Sequence, residues 1–90
     1  MHFMVVWTFE PHASQAAIDR FKETGGTPPD GVAMLARWHD VSGRRGFALA
    51  EADDVVPVGK WCRRWNDLLT FEVIPVVDDE QLGEILTEGA

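Results

Sequence analysis

The chain predicts an α+β fold: a four-stranded antiparallel sheet with its two crossover helices on one face. Three observations carry this. Val32 to Val41 and Arg45 to Glu51 read as the two arms of a long hairpin, joined by the polar, Gly-containing turn Ser42-Gly43-Arg44. An extended apolar segment lies towards each end of the chain, His2 to Phe9 and Thr70 to Val77. A helical pattern separates each outer segment from the hairpin. A lone hairpin is marginal in water, so the flanking elements must cover it.

Each element has its own signals. In the first strand Phe3, Val5, Trp7 and Phe9 fall on one face, with Met4 and Val6 on the other, so the strand reads as buried on both sides. Pro11 ends it, having no N–H for a ladder. Ser14 is the expected N-cap of the first helix. Ala17, Ile18 and Phe21 form that helix's apolar stripe, Asp19, Arg20, Lys22 and Glu23 its wet side, and Gly25-Gly26 its stop. Asp53 or Asp54 caps the second helix, with Pro57 in its first turn, where the missing donor costs little. Val55, Val58, Trp61, Cys62, Trp65 and Leu69 extend a helical ladder through this region. Pro75 places the last strand at a sheet edge. Asp78-Asp79 caps a short third helix whose Leu82, Ile85 and Leu86 share a face, and Thr87 to Ala90 is expected to fray.

The order βαββαβ is the ferredoxin-like, split-βαβ arrangement, here one domain over residues 1–90 with strands one and three central. Met4, Val6, Leu35, Ala48, Ala50, Ile74 and Val76 are read on the opposite parity from Phe3, Val5, Trp7, Leu49 and Val73. Helices cover only one of these faces. A bare apolar sheet face is an association site, so a homodimer with two sheets packed face to face is expected.

Composition bounds the partners. The chain has 90 residues, 46% hydrophobic and 26% charged, with four Trp and five Phe. That suits a small globular domain, which buries only roughly 60–65% of its unfolded surface. The formal net charge of −7 argues against nucleic acid and anionic membranes as partners. Arg44-Arg45 and Arg63-Arg64 are the only basic pairs, and each is more simply a solvated face. No apolar run approaches the ~18–20 residues of a membrane span. A single cysteine excludes an internal disulfide, and the chain opens directly into Phe3-Met4-Val5-Val6-Trp7 without a signal-peptide pattern. A cytoplasmic location is therefore expected.

Several residues are candidates for chemistry. Trp7, Trp38, Trp61 and Trp65 are candidates to line an aromatic pocket between sheet and helices, and plain core packing is the competing explanation. His39 on one strand, with Glu51 and Glu72 on others, is a candidate general base beside a carboxylate; the competing explanation is a solvent-facing histidine and a glutamate at a helix entry. His39 and Glu51 share a face only in some strand registers. Cys62 lies in the helical stripe, which favours a small buried hydrophobe over a nucleophile. His2, His12 and His39 are scattered and no HxH, CxxC or HExxH spacing occurs, so no metal is expected, and no phosphate loop or other cofactor motif is present.

The opening Phe3-Met4-Val5-Val6, Trp38 with the following Gly43 turn, Phe47 to Asp53, Trp61 to Trp65, and Phe71-Glu72-Val73-Ile74-Pro75-Val76 resemble a small family of uncharacterised bacterial proteins, a domain-of-unknown-function group of about this length. More broadly the chain is similar to dimeric α+β-barrel proteins, among them cofactor-free monooxygenases, haem-handling enzymes, isomerases and proteins with no known activity. The resemblance implies the fold and the dimer and carries no catalytic residue to this chain. Two functions remain open: a dimeric protein binding a small apolar or aromatic molecule, and a non-catalytic dimerisation or protein-interaction module. A cavity of ~300 Å³ or more between sheet and helices, reached by a polar group, favours the first; a filled core favours the second.

Overall fold

The computed structural model describes residues 1–88. Its elements are β1 (His2–Phe9), α1 (Ser14–Thr24), β2 (Ala33–His39), β3 (Arg45–Glu51), α2 (Val55–Arg63), β4 (Leu69–Val76) and α3 (Asp79–Thr87). The sheet is antiparallel throughout, in the order β2-β3-β1-β4. This is the α+β, ferredoxin-like βαββαβ arrangement, and Pro75 lies on the edge strand β4, where a lost ladder bond matters least.

The ends of the elements differ from the sequence expectations for local reasons. Ser14 is not the cap of α1 but its first residue; Ala13 precedes it with helical backbone and no side-chain cap. Gly25, at φ 70°, closes α1 by donating to the Phe21 carbonyl, as a left-handed C-cap requires. The hairpin turn begins at Asp40, not Ser42: the Asp40 N–H donates to the Arg45 carbonyl, and its carboxylate accepts from the Ser42 N–H. Asp54 caps α2 by accepting from the Val56 N–H, and Asp78 caps α3 in a reciprocal capping box with Gln81.

The apolar ladder of the second helix outruns the helix itself. α2 stops at Arg63, and Trp65 lies in the following turn. Trp65 N–H donates to the Cys62 carbonyl, and Leu68 and Leu69 N–H groups both donate to Trp65. These tight turns keep Trp65 and Leu69 on the buried side without an α-helix, and Leu69 already belongs to β4. Thr87 closes α3, its hydroxyl donating to the Glu84 carbonyl, whereas Gly89 and Ala90 lie outside the described residues.

The register corrects the assignment of two alanines and a leucine to sheet faces. Ala48 pairs with Val5 and Ala50 with Phe3, so both alanines face the helices, and Leu49, paired with Met4, lies on the other face. Phe3, Val5, Ala48, Ala50, Ala52, Val58 and Trp61 form one core beneath α2; Ala17, Trp65 and Leu69 form a second near α1. Among the described residues no helix covers the opposite sheet face, which carries Met4, Val6, Phe47, Leu49, Ile74 and Val76. α3 is exposed along its whole length, Leu82, Ile85 and Leu86 included. The radius of gyration is 15.0 Å, against about 12 Å for a compact chain of this length, because α3 stands off the body.

Candidate functional site

β3 presents only Gly46, Ala48 and Ala50 to the helices. Beneath α2, Val58 and Trp61 fill the volume that the alanines lack. Over Gly46 lies the Trp7 indole, and α1, whose one buried residue is the small Ala17, packs near that ring. A cavity of about 420 Å³ lies between α1 and the sheet. Trp7 and Phe9 of β1 and Leu69 and Phe71 of β4 form its floor, Ile18 and Phe21 its α1 wall, and Trp61 and Trp65 its far end. Protein interiors contain few voids larger than a water molecule, whereas this volume lies within the range of small-molecule sites. The cavity opens to solvent between α1 and β2: Ile18 is 40% and Phe21 37% exposed, and His39 at the same edge is exposed too.

Two local features shape the floor and the mouth. The Trp7 indole lies directly over Gly46, and a Cβ built at Gly46 would overlap the ring. A bulge at Leu35 shifts the β2 register, so that Met34 faces Ala50, Arg37 faces Ala48 and His39 faces Gly46. Met34, Arg37 and His39 thus share the helix-covered face, and the two polar residues reach the cavity. The Arg37 guanidinium donates to the Gly25 carbonyl at 3.1 Å and the Gly26 carbonyl at 3.3 Å, and sits 4.8 Å from the centre of the Phe21 ring. The His39 ring stands edge-on to Trp7 at 6.2 Å and to Phe21 at 5.8 Å. Lys22 of α1 completes the polar part of the lining.

The far end is held by an ion pair. Arg20 of α1 grips Asp67 with two hydrogen bonds of 2.8 and 2.9 Å, donates to the Arg64 carbonyl and lies 5.4 Å from the centre of a Trp65 ring. The hydrogen bond from Arg20 holds the Asp67 carboxyl below the usual carboxylate range, and the same bond raises the Arg20 pKa.

The structure brings Trp7, His39, Trp61 and Trp65 together around the cavity and leaves Trp38, Glu51 and Glu72 outside it. Trp38 pairs with Phe47 on the open sheet face and is 55% exposed. Glu51 is on that face as well, 3.2 Å from His2, and Glu72 is there opposite Val6. His39 and Glu51 therefore point to opposite sides of the sheet, and the histidine–carboxylate pair does not form; the histidine's close neighbours are aromatic rings. Cys62 packs against the core beneath α2, and burial pushes its thiol pKa up, which weakens it as a nucleophile. Among the described residues no three His, Cys, Asp or Glu side chains converge as a metal site.

Sequence reasoning missed the α1 wall and the polar mouth. Ile18 and Phe21 carry the signal of a core stripe and are instead half-solvated. Arg37 is a lone cation within an apolar strand, a pattern that marks an inward polar group only once the bulge is known.

No helix among the described residues is long and apolar enough to cross a membrane. A search of curated proteins and a search of solved structures each returned no match. The family model described as Domain of unknown function (DUF3303) matches residues 1–90. From end to end, the chain belongs to the DUF3303 family.

Proposed function

We propose that this protein binds a small apolar or aromatic molecule in the cavity between α1 and the sheet, and does so as a homodimer closed through the open sheet faces. The observation that carries the ligand reading is the preformed cavity of about 420 Å³ walled by aromatic rings. Apolar surface left wet costs about 25 cal/mol per Å², so a small domain gains by filling such a space. The dimer rests on Met4, Val6, Phe47, Leu49 and Ile74, an apolar face with no helix of the described residues over it. The superfamily reading of the sequence, a dimeric α+β barrel, rests on the same face.

A thermal-shift screen with small aromatics, haem and flavins tests the ligand reading. A compound at 100 times its dissociation constant adds about 2.7 kcal/mol, or roughly 10–20 °C in a domain of this size. A screen in which no compound moves the midpoint removes the reading. The second reading, a non-catalytic interaction module, is favoured by one feature: α3 leaves the apolar Leu82, Ile85 and Leu86 exposed. That module predicts a stable dimer with a ligand-silent midpoint.

A further inference from the structure

We infer that the pocket's ligand carries an anion, a carboxylate on an apolar, ring-sized body; this rests on the ligand reading above. The chain has 15 acidic and 8 basic residues, so a randomly composed lining would favour carboxylates. The ionisable groups in the cavity lining are instead Lys22, Arg37 and His39, with no Asp or Glu. No carboxylate of the described residues forms an ion pair with any of the three.

Geometry strengthens the composition. Two of Arg37's five N–H groups are tied to the Gly25 and Gly26 carbonyls, and Phe21 lies against its face. The guanidinium is thus fixed in place with N–H groups to spare, and forming a charge-assisted bond from it freezes little further motion. Lys22 reaches the same cavity from α1. The rest of the wall is aromatic or aliphatic, so the anion meets the cations at the mouth while the apolar body lies between Trp7, Trp65 and Phe71. A cation at an apolar wall attracts an anion more strongly than the same cation in open water.

The test compares 2-naphthoate with its neutral isostere 2-naphthamide by calorimetry on the full chain. Naphthoate is expected to bind at least about tenfold more tightly, and raising salt from about 50 to 500 mM should weaken naphthoate alone. Arg37→Met should erase the preference. Because that change also removes contacts to Gly25 and Gly26, Lys22→Met, on an exposed side chain, is the companion variant and should reduce the preference without lowering the melting temperature. Equal binding of the two compounds overturns the anion inference and leaves the pocket standing. Binding of neither overturns both.

Discussion

Replacing Gly46 by alanine probes the pocket floor most sharply. Its backbone is ordinary strand, so conformational freedom is not the issue; the constraint is that the Trp7 indole occupies the space a Cβ needs. The ring is rigid and must rotate, and the volume available to it is the cavity. Overpacking of this kind costs about 1–3 kcal/mol, which corresponds to a fall of roughly 5–20 °C in melting temperature. Trp7→Leu alone removes part of a half-buried ring and should cost roughly 1–3 kcal/mol, less than the ~3–5 kcal/mol of truncation to alanine. With the indole gone, Gly46→Ala no longer clashes. The double variant should therefore be nearly as stable as Trp7→Leu, a coupling of about 1–3 kcal/mol in a double-mutant cycle measured by urea unfolding. Gly46→Ala should also abolish binding of any compound the screen finds. A Gly46→Ala protein within about 0.5 kcal/mol of the parent, or a strictly additive double variant, would refute the reasoning.

Three further outcomes follow from the same structure. Trp65→Ala should cost on the order of 3–5 kcal/mol, enough to unfold so small a domain, because Trp65 is only 9% exposed and packs with Ala17 and Leu69; near-parent melting would show that the far end of the cavity is not built as described. Arg20 lowers the Asp67 pKa, so the pair contributes stability above the unfolded carboxyl value near about pH 4 and loses it as pH falls through the folded value. Asp67→Asn should thus melt below the parent at neutral pH and converge with it on acidification; a gap that stays constant would contradict the pairing. Val6→Lys or Ile74→Lys, on the uncovered sheet face, should split the proposed dimer in sedimentation while the monomer stays folded, and a variant that still sediments as a dimer would place the interface elsewhere.

The topology was legible because it rests on properties of whole segments: two outer strands, a hairpin, two helical patterns, and Pro75 requiring an edge. The two faces of the sheet were less so. The bulge at Leu35 carries no glycine or proline to announce it, yet it alone decides that His39 and Arg37 turn inward while Trp38 turns out. The helical ladder through Trp65 and Leu69 marked burial correctly and the element wrongly, since tight turns after Arg63 keep the same side chains inside. The cavity is a missing volume. It lies where α1 brings the small Ala17 over the Trp7 and Phe71 part of the sheet, a juxtaposition that neither segment shows by itself.

The indole N–H resonances of the four tryptophans test the pocket most directly. In a titration with a compound that raises the melting temperature, Trp7, Trp61 and Trp65 line the proposed site, and Trp38 on the opposite sheet face is an internal control. The prediction is that the first three resonances move with one common affinity while Trp38 holds still. Movement of Trp38 alone would put the ligand on the wrong side of the sheet and contradict the proposal.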